Sequence, residues 1–204
     1  MTKLLFATNN PNKIKEIQTV VEGLVDVVGL KESGIDLDIP EPHDTLEANA
    51  SEKSSVIFSL TGLNCFSEDT GLEIAALGGE PGVRSARYAG EGRSSDDNIE
   101  KVLQQMKGAD NRKARFRTVI SLFWHGAEHR FEGICEGEIT RERRGADGFG
   151  YDPVFLPSGS SRTFGEMSIE EKNRFSHRKK AADQLVSFLQ QQPGQVLPDK
   201  TATE

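Results

Sequence analysis

The first third of the chain alternates short apolar runs with segments of helical period, which predicts strands that alternate with helices. Apolar runs over residues 3–7 and 25–30 are typical of buried strands. Between them, apolar side chains recur every three or four residues and define one face of a helix; they are Ile14, Ile17, Val20, Val21 and Leu24. Asn10 suits the cap of this helix, and Pro11 suits its first turn. A second helix is expected over about residues 45–60, where Asp44 to Glu47 is similar to a capping box.

The rest of the pattern predicts a further strand, a hairpin and more helices. Residues 63–71 indicate a strand that runs into an acidic turn, and residues 113–125 and 128–140 favour two long antiparallel strands. Helices are expected from Ser95 or Asp96 to about Gly108, from Ser168 onward, and over about residues 177–191. This order indicates an α/β fold with a mixed sheet. We expect one domain over residues 1–192 and a disordered tail over residues 193–204.

Composition narrows the choice of partners and compartment. With 25 basic and 32 acidic residues the chain has a net charge of −7, which argues against broad nucleic-acid binding because such binding needs a basic face. No apolar stretch approaches the roughly 20 residues of a membrane span, so no membrane contact is expected. Cys65 and Cys135 lie in apolar runs, and we expect two buried free thiols in a reducing, cytoplasmic compartment.

A polar elbow over residues 8–13 joins the first strand to the first helix and is a candidate phosphate site. Thr and Asn side chains can donate hydrogen bonds to phosphate oxygens, and the first amides of a helix carry a partial positive charge. Lys13 adds a full charge. The stretch contains no glycine, so it is not the glycine-rich phosphate loop of other nucleotide-binding proteins. A capped helix with a solvated lysine fits the same residues.

The sequence SEDTG at residues 67–71 places Glu68 and Asp69 side by side after a buried strand. Carboxylate oxygens suit Mg²⁺, and a carboxylate can also take a proton from a water molecule. In an extended chain the two side chains point to opposite faces, so they need not share a role. Glu41, between two prolines, is a further candidate metal ligand. A polar turn closed by Gly71, with Glu41 as a solvated loop acid, is the alternative.

Two later segments have the chemistry to contact a nucleobase. GFGYDP, at residues 148–153, combines glycines that permit close approach with the rings of Phe149 and Tyr151 and the acceptor Asp152. EEKNRFSHR, at residues 170–178, brings together three cationic or donor side chains: Lys172, His177 and Arg178. A tight turn with two core aromatic residues and a charged helix face are the respective alternatives.

Lys53 lies on the apolar face of the second predicted helix, which it shares with Leu46, Ala50 and Ile57. It is therefore expected to point inward. A lysine in this position either extends its ammonium group to water along the apolar surface or binds a phosphate.

Taken in order, six segments resemble the Ham1/RdgB family of inosine triphosphate pyrophosphatases over residues 4 to about 189. They are ATNNPNKIKEI, PE at 40–41, LEANASEKS, SEDTGLEIAALGGEPGVRSARYAG, GADGFGYDPVF and EMSIEEKNRFSHR. The resemblance implies an elongated sheet with two lobes around a central cleft, and a homodimer. It also implies Mg²⁺-dependent hydrolysis of ITP, dITP and XTP to the nucleoside monophosphate and pyrophosphate.

The resemblance also implies roles for individual residues. Asp69 matches the proton acceptor and a metal ligand, and Glu41 or Glu68 would complete the metal site. The matched substrate-binding positions are Thr8, Asn9, Asn10, Pro11, Asn12, Lys13, Lys53, Thr70, Phe149, Gly150, Tyr151, Asp152, Lys172, His177 and Arg178. Many family members have Asp where Glu68 stands and Ser where Thr70 stands, and both differences keep the chemical type.

Three other functions stay open at the level of sequence. The protein could be a pyrophosphatase for pyrimidine or other modified triphosphates, or a sensor that binds the nucleotide without turnover. A phosphotransferase is disfavoured because the glycine-rich phosphate loop is missing.

Overall fold

Residues 2–192 are described by the computed structural model, and their strands form one mixed sheet. The strands are β1 (Thr2–Phe6), β2 (Val25–Gly29), β3 (Cys65–Ile74), β4 (Pro81–Gly82), β5 (Lys113–Trp124), β6 (Ala127–Ile139) and β7 (Phe155–Pro157). Their order is β2-β1-β3-β5-β6-β7, and β4 pairs with β3. β1 runs parallel to β2 and β3, whereas the other pairs are antiparallel. The predicted mixed α/β fold is confirmed, and the predicted tail over residues 193–204 lies outside the described residues.

Five α-helices accompany the sheet in this part of the chain: α1 (Pro11–Val21), α2 (Leu46–Thr61), α3 (Ser95–Gln105), α4 (Ile169–Asn173) and α5 (His177–Gln190). The side chain of Asn10 caps α1 by accepting hydrogen bonds from the amides of Asn12 and Lys13 at 3.0 and 3.3 Å. The expected capping box before α2 is wrong, because the cap is Thr45 rather than Asp44. No helix of residues 2–192 is long and apolar enough to cross a membrane.

β3 and β5 run through two apolar clusters and so connect them. Near one end, Phe66, Ile120 and Leu122 pack with α1 and α5. Near the other end, Leu72 and Phe116 pack with α3 and with the segments around β7. The polar residues 67–70 of β3 lie between the two clusters. The sheet therefore carries a buried polar stretch at the boundary between two cores.

The acidic turn expected at residues 67–71 is wrong, because these residues lie inside the ten-residue strand β3. Glu68, Asp69 and Thr70 each pair with β5, opposite Ile120, Val119 and Thr118. On the other edge of β3, β1 reaches only Cys65 and Phe66, and β4 begins at Leu72. A gap therefore opens in the sheet beside residues 67–71, where no strand among the described residues pairs with that edge of β3.

α5 approaches the sheet closely at Gly133 of β6. A Cβ atom added at Gly133 would lie 2.0 Å from the carbonyl oxygen of His177 and 2.6 Å from the amide nitrogen of Ala181. Only glycine permits this distance. The contact fixes the first turn of α5, which carries His177 and Arg178, against the sheet.

Candidate active site

A cleft of about 540 Å³ opens at the gap in the sheet. It brings together most of the residues that the sequence predicts for the site. Those on its walls are Thr8, Asn9, Asn10, Pro11, Lys13, Glu41, Lys53, Asp69, Thr70, Phe149, Gly150, Tyr151, Asp152, Lys172, His177 and Arg178. Asn12 is exposed and Glu68 is buried, and neither is part of the lining.

The polar elbow at residues 8–13 is held by its own hydrogen bonds. The Asn9 side chain donates to the carbonyl oxygen of Leu37 at 3.0 Å, and the Thr8 hydroxyl accepts from the Asn10 amide at 3.2 Å. Because Asn10 already caps α1, the first helix amides that the sequence suggested for phosphate are occupied in this structure. The ammonium of Lys13 projects to Glu68, 3.1 Å away.

Glu68 is the buried counter-ion of Arg178. The Arg178 Nε and Nη2 atoms lie 2.8 and 2.9 Å from the two Glu68 carboxylate oxygens. Burial would raise the pKa of Glu68, but Arg178 and Lys13 outweigh burial and hold that pKa at about 2. Glu68 is buried and does not line the cleft, whereas Asp69 and Glu41 do, which gives Glu68 weaker support as a metal ligand. Among residues 2–192, no group of three or more His, Cys, Asp or Glu side chains is arranged to hold a metal ion.

Asp69 projects from the opposite face of β3, towards α2, as the alternation of a strand requires. One of its oxygens lies 3.3 Å from the Lys53 ammonium, and the other accepts from the Asn49 side chain at 3.3 Å. Burial raises the pKa of Asp69, and nearby Glu41 raises it further. Lys53 and Lys13 lower this pKa, but burial dominates and the pKa lies above its usual value of 3.8. Asp69 is therefore better suited to accept a proton than an exposed aspartate is.

The ammonium group of Lys53 lies between the carboxylates of Glu41 and Asp69. The Lys53 ammonium donates to Glu41 at 2.7 Å, and Arg87 Nη1 donates to the other Glu41 oxygen at 3.0 Å. Burial would raise the pKa of Glu41, but Lys53 outweighs it and holds the pKa at about 2. Two ionisable carboxylates that face one cleft fit Mg²⁺, which is commonly bound by one or two protein carboxylates together with substrate phosphates.

A second buried ion cluster lies under the part of the cleft formed by α1, α4 and α5. Lys172 donates to Glu16 at 2.7 Å and to Asp152 at 2.6 Å, and Arg178 also pairs with Glu16. Burial would raise the pKa of Glu16, but Arg178 and Lys172 outweigh burial and lower it. For Asp152 burial dominates, and its pKa is raised.

The aromatic residues predicted to hold a base divide into two kinds. Phe149 is half-buried at the cleft, with Lys172 Nζ 5.1 Å and Arg178 Cζ 5.5 Å from its ring centroid. Tyr151 is buried, and its hydroxyl donates to the carbonyl oxygen of Ser85 at 2.8 Å. Tyr151 thus serves the core around the cleft more than it offers a free ring face.

His177 is buried beneath the cleft and is neutral at neutral pH. Its ring stacks on Phe116 with centroids 4.6 Å apart. Burial lowers the pKa of His177 well below 6.5, and the nearby cations Arg178 and Lys172 lower it further. Within residues 2–192, its Nδ1 atom has no hydrogen-bond partner. A buried polar atom without a partner beside a cleft is suited to bind a polar ligand atom.

Sequence reasoning missed Glu16, Arg87 and Asn49, each of which holds a predicted site residue in place. Glu16 follows Lys13 by one helical turn and precedes the apolar Ile17, so its spacing was a usable signal. Arg87 and Asn49 lie far along the chain from Glu41 and Asp69, and no local spacing connects them. Only the fold brings these pairs together.

Comparison with known proteins gives a consistent result. The model of the Ham1 family matches residues 4–188. A dITP/XTP pyrophosphatase of Porphyromonas gingivalis is 52% identical over 190 residues, covering 93% of this chain and 98% of that protein. One from Christiangramia forsetii is 47% identical, covering 92% and 98%. The solved structure of a HAM1 protein from Coxiella burnetii matches with a TM-score of 0.85 at 38% identity, covering 94% of this chain and all (100%) of that one.

Proposed function

Because the chain belongs to the Ham1 family, we propose that it hydrolyses the noncanonical purine nucleoside triphosphates ITP, dITP and XTP to the nucleoside monophosphate and pyrophosphate. The names of relatives at 47% and 52% identity support this substrate class. The observation that carries the proposal is the cleft itself. It combines cations for a triphosphate, a ring face for a base and a buried carboxylate of raised pKa, Asp69, in one site.

In the proposed reaction, Asp69 orients a water molecule and takes its proton. The water oxygen forms a bond to the α-phosphorus, and the bond between the α-phosphorus and the bridging oxygen breaks, so that pyrophosphate leaves. Lys13 and the elbow at residues 8–10 bind the triphosphate and neutralise its charge. Catalysis then comes from positioning and from charge stabilisation.

Asp69 and Glu41 are the residues that hold Mg²⁺ in this proposal. When bound, Mg²⁺ supplies positive charge to the phosphate oxygens. Asn49 and Arg87 orient the two carboxylates towards the cleft, since each donates to a carboxylate oxygen that does not face Lys53.

The base is selected by its hydrogen-bonding edge. Hypoxanthine and xanthine carry a 6-oxo group and an N1–H, whereas adenine carries an amino group and an acceptor nitrogen. Donors from His177 and Arg178 match the oxo group, Asp152 accepts the N1–H, and Phe149 stacks on the ring. Adenine would leave buried polar groups unpaired, which can cost a factor of about 10⁴ in favourable cases.

We further propose a cytoplasmic homodimer that binds neither nucleic acid nor membrane. The net charge of −7 argues against nucleic-acid binding, and the buried free cysteines fit a reducing compartment. The dimer is what the resemblance to the family implies. Size-exclusion chromatography with light scattering at several concentrations tests the dimer, and a single species of monomer mass at every concentration would exclude it.

The test of function is a product assay with Mg²⁺ across ITP, XTP, GTP, ATP and UTP that detects pyrophosphate and orthophosphate separately. Fast release of pyrophosphate from ITP and XTP and slow release from ATP and GTP is the expected result. Release of orthophosphate would mean attack at the γ-phosphorus. Turnover of UTP at the ITP rate would indicate a broader pyrophosphatase, and tight ITP binding without turnover would indicate a sensor.

The role of Asp69 is tested with Asp69→Asn. The variant keeps the size of the side chain and removes the proton acceptor, so we expect turnover to be abolished while ITP binding stays measurable by calorimetry. Asp44→Asn, in the exposed loop before α2, is the matched control and should turn over ITP normally. Near-normal turnover by Asp69→Asn would exclude Asp69 as the base.

A further inference from the structure

The ammonium group of Lys53 occupies the space between Glu41 and Asp69. Its Nζ atom lies 2.7 Å from a Glu41 oxygen, 3.3 Å from an Asp69 oxygen and 2.8 Å from the carbonyl oxygen of Glu68. That carbonyl is on the edge of β3 that the gap in the sheet leaves uncovered. Two carboxylates and one carbonyl around a single positive charge are the ligand types that a hard cation takes.

The other oxygen of each carboxylate is held by a fixed donor. Arg87 donates to Glu41, and it donates at 2.9 Å to the Glu41 carbonyl oxygen as well. Asn49 donates to Asp69 and is tied to His43 by two further hydrogen bonds. The oxygens that remain for a divalent cation are therefore the same ones that Lys53 now contacts.

Charge balance points the same way. Glu41 and Asp69 carry two negative charges, and Lys53 and Arg87 carry two positive charges at contact distance. Lys53 is 6% exposed, so solvent screens its charge poorly. A divalent cation that entered this neutral group would meet an ammonium at close range and would gain little.

We propose that Lys53 is an internal counter-ion that excludes free divalent metal from Glu41 and Asp69 until a triphosphate arrives. The phosphates attract the ammonium away from the two carboxylates, and the metal enters together with the nucleotide. The active site thus binds a metal–nucleotide complex rather than the metal first and the nucleotide second. This inference rests on the proposed function, because it takes Glu41 and Asp69 as the metal ligands.

The test measures Mn²⁺ affinity rather than activity. Mn²⁺ is titrated calorimetrically into the wild-type protein and into Lys53→Met without nucleotide. Lys53→Met should bind Mn²⁺ at least about tenfold more tightly, since a positive charge next to the ligands is gone. A gain in affinity is informative because a damaged site would lose affinity. Lys53→Arg keeps the charge and should bind as weakly as the wild type.

Lys107→Met, at an exposed position just after α3 and outside the cleft lining, is the control for the loss of a lysine charge. Its removal should leave Mn²⁺ affinity within about twofold of the wild type. Folding of each variant is checked by circular dichroism, and Lys53→Gln replaces Lys53→Met if the latter is unfolded. An affinity for Lys53→Met or Lys53→Gln equal to that of the wild type would overturn the proposal.

A second measurement needs only the wild-type protein. Mn²⁺ binding is followed by water-proton relaxation with and without α,β-imido-ITP, which resists hydrolysis at the proposed bond, and the signal of Mn²⁺ with the analogue alone is subtracted. Binding should tighten at least about tenfold with the analogue. Equally tight binding without it would overturn the counter-ion role while the proposed function stands. If Mn²⁺ does not bind even in the presence of the analogue, both the proposed metal site and the counter-ion role of Lys53 are wrong.

Discussion

Replacing Glu16 by Gln should destabilise the protein by about 3 kcal/mol. Glu16 is 6% exposed, and its carboxylate bridges the ammonium of Lys172 and the guanidinium of Arg178. The substitution keeps the size and one acceptor oxygen but removes the charge. It leaves one positive charge in excess in a buried cluster.

The magnitude follows from what each cation keeps. Loss of one partner of a buried pair costs about 3–5 kcal/mol when the remaining charge is left alone. Lys172 still contacts Asp152 at 2.6 Å, and Arg178 still contacts Glu68 at 2.8 Å, which places the expected cost at the lower end. At about 2–4 °C per kcal/mol for a chain of this size, the midpoint of thermal unfolding should fall by roughly 6–12 °C.

The assay is urea unfolding at pH 7 and at steps down to about pH 3, with Glu100→Gln on the exposed face of α3 as control. The pKa of Glu16 is lowered in the folded state. Its stabilisation is therefore present above the unfolded pKa and is lost as the pH falls through the folded pKa. The difference between wild type and Glu16→Gln should shrink over that range, while the control stays within about 0.5 kcal/mol of wild type. The reasoning would be refuted if Glu16→Gln lowered the free energy of unfolding by less than about 1 kcal/mol at pH 7. It would also be refuted if the difference from wild type did not change with pH.

Two further predictions concern packing and thiol chemistry. Gly133→Ala should lower the free energy of unfolding by about 3 kcal/mol or more, because its Cβ would overlap the His177 carbonyl. Gly92→Ala is the control; there is open space around its Cβ, so its thermal midpoint should be nearly that of the wild type. Equal midpoints for the two variants would contradict the close contact. Burial raises the pKa of Cys65 to about 12 and that of Cys135 to about 11. Both thiols should therefore resist iodoacetamide at pH 8 in the native protein and react only after unfolding. Rapid labelling of the native protein would contradict their burial.

Local signals in the sequence predicted the fold well where the structure depends on local interactions. The cap at Asn10 and the apolar period that follows predicted α1, and the observed strand β1 differs from its prediction by one residue at each end. The long hairpin of β5 and β6 was likewise expected from alternation and a short turn. These elements depend on neighbours in the sequence, and periodicity reports such neighbours directly.

The extent of β3 could not be predicted in this way. Glu68 and Asp69 have low strand propensity, and a run of polar residues ending in glycine is typical of a turn. The strand continues because residues of β5, 48 to 52 positions later in the chain, pair with each of them. Pairing with a distant strand overrides the local preference, and the same strand then carries Asp69 and Thr70 to the cleft.

The ion pairs of the site were beyond prediction for a related reason. Glu16 meets Lys172 and Arg178 across 156 and 162 positions of the chain. The sequence predicted a binding role for both cations, but it could not show that a carboxylate of α1 holds them. The resemblance to a family supplied the residues that are expected to contact a ligand, whereas their supporting partners became visible only in the fold.

Uninterrupted pairing of β3 with β5 also has a mechanical consequence. Hydrogen-bonded partners continue from Cys65 and Phe123 at one end to Ile74 and Ala114 at the other, straight through the base of the cleft. A hinge between the two apolar clusters would require the backbone torsions of β3 and β5 to change. Such a change would break hydrogen bonds of this ladder. We therefore expect the two apolar clusters to move little relative to one another. In that case closure around a nucleotide should come from the loops that border the cleft, and Asp69, as a member of the ladder, should keep its position when a ligand binds.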